Sequence, residues 1–325
     1  MVNETRVADE LDQLGLGAGF LPLPDAGLVR VTGAGHRDAL QRLLTQELRG
    51  LAPGAGRLAL LLAPKGQFRA LMGVFAGDGD TLLMAPPGRG GDLAEALRKY
   101  LALSRCSAEA IAPAEGASAI VGERWLDAAT ALGAAPGTLA DGGWHVSALD
   151  GRPVSWFGRT LLGVPGAVLA GGGADAGRLL RGAGLRVVLA RTVELARIRR
   201  GAPAWGAELT ETVLPPEVGI EGETVSYSKG CYVGQETMAR LEAHGHTTRT
   251  LVGLRQVRGE IAAPPLPAPL TAAGEAKERG ALTSWGWHPE IGGVGLALVR
   301  IELAVAGTRV AGADREFEVT GFPLW

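Results

Sequence analysis

The chain has 325 residues, 46% hydrophobic and 20% charged, which is long enough for two or three packed cores and too apolar for disorder throughout. Its 50 glycines follow no three-residue period, so a collagen-like rod is excluded. With 32 basic against 34 acidic residues the net charge is −2, no overall field favours nucleic acid or an anionic membrane, and two cysteines, Cys106 and Cys231, exclude a disulfide framework.

The opening MVNETRVADELD carries early acids and no apolar core, and the apolar run Leu58 to Pro64 is far shorter than a bilayer span. A soluble protein of a reducing, bacterial-type cytoplasm is expected, without a transit peptide. From Gly27, LVRV predicts a short strand, TGAGH a turn, and Asp38 to Leu48 a helix with Ala39, Leu40, Leu43 and Leu44 on one stripe. Arg57 to Val74 predicts a hairpin about Pro64 to Gly66, followed by a turn at Asp78 to Asp80. Asp92 to Leu103 returns to helical spacing, with Glu95 placed to pair with Lys99 four residues on. Ile111 to Gly173 alternates short apolar runs with glycine turns, Ala174 to Gly184 predicts a helix, and LRVVLA a strand. These elements give an α+β body over about residues 20–245. Beyond His244 to His246 the pattern becomes all-β, with runs at Leu251 to Val257, Gly280 to Trp287, Val294 to Ile301 and Phe317 to Val319. The proline-rich stretch Ile261 to Leu270 lacks N–H donors and is expected on an edge or in a loop beside a small barrel or sandwich.

Several motifs carry candidate chemistry. The GAG of Gly33 to Gly35 follows a strand and opens a helix, but Asp38 stands where a dinucleotide fingerprint needs its third glycine, and an acid there repels pyrophosphate. His244 and His246 lack the third and fourth ligands of a metal site nearby in sequence. In SYSKGCYVGQETMAR, Ser226 to Arg240, an extended Tyr227 to Cys231 sets Lys229 beside Cys231. Gly234 then caps a helix from Gln235, so an ammonium and a helix N-terminus both favour the thiolate, while Gly230 and Gly234 allow a ligand close to the backbone. The same residues equally describe an inert cysteine in a turn. In RIRRGAPAWGAE, Arg197 to Glu208, the cations Arg197, Arg199 and Arg200 and the ring of Trp205 suit an anionic heteroaromatic ligand. They also read as the basic C-terminus of a helix capped by Gly201.

KGCYVGQE with the trailing MAR resembles the signature of the YgfZ-type folate-binding proteins, relatives of the glycine cleavage T-protein (aminomethyltransferase). The likeness extends to VTG at Thr32, LLTQ at Leu43 to Gln46, GRLALLLAPKG, RIRRGAPAWGAE, LPPE at Leu214 to Glu217, and GALTSWGWHPEIGGVGLALVR. The resemblance implies an α+β fold of two α+β domains and a C-terminal all-β barrel around a central funnel that binds tetrahydrofolate. It divides the chain into residues 20–105 joined by 190–245, residues 106–189, and residues 246–325. It also implies a part in assembling or repairing iron–sulfur enzymes, tRNA-modifying ones included, with iron–sulfur client or assembly proteins as partners and no membrane. Carried onto this chain, Cys231 and Lys229 are the candidate catalytic residues, and Arg197, Arg199, Trp205, Gly230, Tyr232, Gly234 and Gln235 the candidate folate-binding ones. Three departures stand out. Arg199 replaces the glutamate that takes the pterin N–H groups, QFRALMGV lacks the acid of aminomethyl transfer, and Ala26 and Ala196 stand where some relatives carry tryptophans. A folate-dependent aminomethyltransferase and a non-catalytic scaffold for a partner or tRNA are the alternatives.

Overall fold

The computed structural model describes residues 2–111, 116–172, 176–245 and 247–325. The chain runs α1 (Val2–Leu16), β1 (Gly19–Leu23), β2 (Gly27–Thr32), α2 (His36–Leu43), β3 (Gly56–Leu62), β4 (Phe68–Ala76), β5 (Thr81–Ala85), α3 (Gly90–Leu101) and β6 (Ser107–Ile111). There follow β7 (Ala117–Val121), α4 (Trp125–Ala131), α5 (Pro136–Ala140), β8 (Trp144–Leu149), β9 (Arg152–Phe157), β10 (Gly166–Gly171), α6 (Ala176–Gly182) and β11 (Arg186–Val187). The crossing segment holds α7 (Ala190–Arg200), α8 (Glu221–Thr224) and α9 (Gln235–His244). The last region is β12 (Arg249–Gly259), β13 (Ala268–Ala272), β14 (Glu278–His288), β15 (Gly292–Arg300), β16 (Arg309–Gly312) and β17 (Arg315–Thr320). No helix among the described residues is long and apolar enough to cross a membrane.

Two sheets form the body, one in the order β3-β4-β5-β2-β6 and the other β11-β1-β7-β10-β9-β8. They pack face to face over Phe75, Met84, Val121, Phe157 and Val168, with Phe75 edge-on to Phe157 at 4.9 Å. The outer face of the first sheet buries Val29, Val31 and Leu61 against Leu40, Leu93 and Leu97 of α2 and α3. That of the second buries Ile120, Trp156 and Leu169 against α4 to α6. The apolar runs in β5, β7 and β10 lack alternation because both faces of these strands are covered, whereas α3 keeps a polar outer side with Glu95 and Lys99 paired at 3.4 Å. The body's first strand crosses over: β1 lies between β7 and β11 in the second sheet, while β6 closes the edge of the first.

The C-terminal strands close a barrel, β12-β15-β14-β13-β16-β17, around Leu254, Leu270, Leu282, Val299 and Phe317. The proline-rich stretch is therefore not wholly edge or loop, since Ala268 to Ala272 forms β13. Pro269 is tolerated because β16 pairs only with Thr271 and Ala272, leaving the proline opposite β14 alone. The helix expected to reach Leu48 ends at Leu43. Leu44 is extended, bridges Leu61, and hands on to Thr45, whose hydroxyl accepts from the Leu60 N–H and donates to the Thr224 carbonyl. The strand expected over LRVVLA is only Arg186–Val187, and α1 and α8 have no counterpart in the sequence reading.

Candidate functional site

The segment before α9 bends at residues 227–229 rather than running as a strand, and the period-two expectation fails there. Lys229 turns inward with 6% of its surface exposed, and its ammonium donates to the carbonyls of Gln41, Leu44 and Gln46 at 2.7, 2.7 and 2.8 Å. All three N–H groups are thereby used at the C-terminal end of α2, where helix carbonyls lack partners. Burial pushes the ammonium down to about 8, with Glu47 opposing and Arg49 adding to the shift. Cys231 faces solvent instead. The expected pairing of the Lys229 charge with the Cys231 thiol is thus replaced by a clamp on α2.

Tyr232 returns to the interior, with the Lys229 ammonium 5.4 Å from its ring centre and its hydroxyl buried without a partner. Burial, then Tyr227 and Glu242, push that phenol up to about 12. Tyr232 belongs to the cluster of Leu60, Leu62, Phe68, Val225 and Leu298 that joins the first sheet, the crossing segment and the barrel. Gly234 is the N-cap of α9 at φ +85°, and a Cβ there would sit 2.7 Å from the Ala63 carbonyl oxygen, so its glycine serves close approach to the β3–β4 turn. Gly230 is exposed, and the Gln235 amide reaches the Lys229 carbonyl only at 3.5 Å.

The second motif also turns away from ligand. Arg197, 2% exposed, donates to Glu194, to Glu208 at 3.1 Å, to the Ala202 carbonyl at 2.6 Å and to Ser284 at 2.7 Å. Glu208 is fully buried and also accepts from Thr283 and Ser284, both at 2.6 Å, and from the Ala204 N–H. Burial alone would lower the guanidinium's pKa, but Glu194 and Glu208 raise it above its usual value. Arg199 donates to the Trp325 carbonyl at 2.9 Å and lies 5.7 Å from that ring. Trp205 lies under Arg89, 5.9 Å from centroid to guanidinium. Gly201 caps α7 in the left-handed region, as its place in the sequence predicts. His246 lies outside the described residues.

Where the two sheets and the crossing segment meet there is a cavity of about 550 Å³. Leu58 of β3, Leu71 of β4, the β9–β10 connection of residues 158–166, the turn at residues 200–203 after α7, and residues 218–224 through α8 form its walls. None of the residues singled out in KGCYVGQE or at Arg197, Arg199 and Trp205 lines it. Its charged side chains are those of Arg159, Glu223 and Arg200, and Thr160, Thr224 and Trp125 also line it. Arg200 is paired with Glu123 at 2.6 Å. Among the described residues Arg159 meets only the Glu223 carboxylate, at 3.9 Å, and its buried Nε has no partner. Burial lowers the Arg159 guanidinium's pKa, opposed by Glu223 and assisted by Arg57. Sequence reasoning passed over Arg159, although it is the sole charged residue between Arg152 and Asp175 and sits in a glycine-flanked connection. A cation in such surroundings is a ligand signal of the kind sought in the richer motifs.

No protein-family model matches the chain. A chloroplastic protein of Arabidopsis thaliana, provisionally named as a transferase, is 26% identical over 309 residues, 93% of this chain and 70% of its own length. A mitochondrial iron–sulfur cluster assembly factor homolog of Eremothecium gossypii is 50% identical over 56 residues, 16% of this chain and 12% of that protein. The crystal structure of glycine cleavage system aminomethyltransferase T from Bartonella henselae superposes with a TM-score of 0.82 over 98% of this chain and 89% of its own, at 20% identity. The fold is therefore that of the glycine cleavage aminomethyltransferase, with its α+β body and closed C-terminal barrel.

Proposed function

We propose that the chain is a folate-binding accessory protein for assembling or repairing iron–sulfur enzymes, tRNA-modifying ones among its clients, with Cys231 as its reactive group. The observation that carries this reading is the 550 Å³ cavity at the meeting of the two sheets and the crossing segment, in a molecule whose exposed cysteine lies just before α9. The cavity residues fit a reduced folate chemically. Leu58, Leu71 and Ile220 offer apolar wall to flat rings, and Arg159 offers a cation to the glutamyl tail. This assigns the ligand to walls other than Arg197 and Arg199, whose polar groups are engaged elsewhere, and Trp205, whose ring lies against Arg89.

Tetrahydrofolate, when bound, supplies a one-carbon carrier. The chain's own contribution is the cavity, the Arg159 cation to orient the ligand, and the exposed thiol of Cys231. One thiol cannot hold a cluster, whose irons take four, so Cys231 acts on a passing intermediate or shares one ligand with a client. Tetrahydrofolate is expected to raise the melting temperature, because a ligand selective for the native state stabilises it. Cys231→Ala is expected to keep the fold and the folate shift while failing to restore iron–sulfur enzyme activity in cells lacking the protein. Full restoration by that variant would remove the role of the thiol, and no folate shift would favour a scaffold. The fold and the transferase name of the Arabidopsis relative favour aminomethyl transfer as a second reading. Turnover with a lipoylated carrier and ammonia would establish it, against the absence of any acid in residues 67–74.

A further inference from the structure

We propose that Arg159 determines the cavity's ligand class by taking a carboxylate of the ligand's glutamyl tail, which makes the site selective for folates over free pterins. The inference rests on the folate reading and deepens it. A guanidinium withdrawn from water requires acceptors for its five N–H groups, and cations of this kind are ordinarily paired when buried. The other arginines about the α7 turn meet that requirement. Arg197 is held by Glu194 and Glu208, Arg199 by the Trp325 carbonyl and Arg200 by Glu123. Arg159 does not. Two thirds of its side chain is covered, its Nε has no partner, and its carboxylate neighbour Glu223 is 3.9 Å away with 75% of its own side chain exposed.

The surroundings show that the arginine is held there rather than stranded. Gly142 makes room for it: a Cβ at that position would lie 2.7 Å from Nε and 3.1 Å from the guanidinium carbon, so the backbone forms a floor beneath the group. Gly142 has φ +74°, where glycine carries no steric cost. Burial acts against the Arg159 cation, Glu223 only partly offsets it, and the Arg57 charge adds to the burden. An anion arriving in the cavity therefore meets a preoriented donor already stripped of most of its water, the condition under which a charge-assisted hydrogen bond is strongest.

The test is titration calorimetry under anaerobic conditions with tetrahydrofolate and with 6-methyltetrahydropterin, which keeps the reduced ring and lacks the tail. Arg159→Gln is expected to weaken tetrahydrofolate roughly ten- to hundredfold, the loss of a hydrogen bond to a charged partner, and to leave the pterin's dissociation constant unchanged. Its melting temperature without ligand should not fall, because the substitution removes a half-partnered buried cation. Arg159→Lys, which keeps the charge, should fall between the two and decides the matter if the glutamine variant does not fold. Equal weakening of both ligands, or tetrahydrofolate binding unchanged in the variant, would overturn the assignment of Arg159 alone. Failure of the unaltered chain to bind tetrahydrofolate at all would overturn the folate reading together with it.

Discussion

Lys229 spends all three ammonium N–H groups on carbonyls that lie 188, 185 and 183 residues earlier in the chain. Its effect on Cys231 is therefore positional: the clamp fixes the loop on which the thiol is displayed, and the charge itself points away. Lys229→Met removes the bonds and leaves three carbonyls at the end of α2 without that partner, which should cost about 2–4 kcal/mol in urea denaturation. The pH dependence follows from the lowered value of about 8 against 10.5. Between these values the unfolded chain holds the proton more often than the folded one, so this group makes stability rise as pH climbs from about 8 to about 10.5. The difference between the unaltered chain and Lys229→Met should carry that slope, and a difference flat over the window would refute the burial account. Alkylation of Cys231, in a Cys106→Ser background, should change rate in the same variant because its loop is released. The sequence displays the lysine and the cysteine two residues apart, and local periodicity can suggest nothing about partners on α2. Only the folded chain brings that helix end to Lys229.

At the scale of elements, the signals that proved readable were local ones. The β3–β4 hairpin, the stripe of α3 and the glycine cap of α7 each arise from residues adjacent in sequence, and each forms. The start of α7 was not readable, since its N-cap, Leu189, has no side-chain acceptor. The acceptor comes from α1. Glu10 takes the Leu189 N–H at 2.8 Å and the Thr192 hydroxyl at 2.5 Å, and it also accepts from Arg6 at 2.8 Å. A carboxylate at a helix N-terminus satisfies orphan donors and complements the helix dipole. Although burial alone would raise it, the Thr192, Leu189 and Arg6 bonds hold the Glu10 carboxyl below its usual 4.5. A lowered acid contributes stability that is complete above its unfolded value and is lost as pH falls through the folded one. Glu10→Gln should therefore cost about 1–2 kcal/mol at pH 7 and less at pH 3. Equal loss at both pH values would mean that the charge has no part in the cap.

Across the whole molecule, Arg197 and Glu208 hold α7 to β14 of the barrel and also shape the cavity from behind. The Arg197 stem fills the space beside Gly163, where a Cβ would lie 2.6 Å from Cγ, and its Nη1 donates to the Ala202 carbonyl. Gly163 and Ala202 both belong to the cavity wall, which Arg197 does not itself reach. The sequence suggested that Arg197 grips an anionic ligand directly. The buried acid 11 residues on and the Ser284 hydroxyl of a barrel strand take that charge instead, and no reading of one segment could supply the barrel strand. Arg197→Met strands the Glu208 carboxylate in the interior and should cost about 3–5 kcal/mol, whereas pairing it with Glu208→Leu removes both charges and should recover much of the loss. The two substitutions would then be strongly non-additive in a double-mutant cycle. Folate affinity discriminates the roles further. If Arg197 only supports the wall, the stable double variant should bind tetrahydrofolate within about threefold of the unaltered chain, because less than 1 kcal/mol of contact is at stake. A loss as large as that expected for Arg159→Gln, in a double variant that melts normally, would return Arg197 to the ligand and move the binding surface toward the barrel.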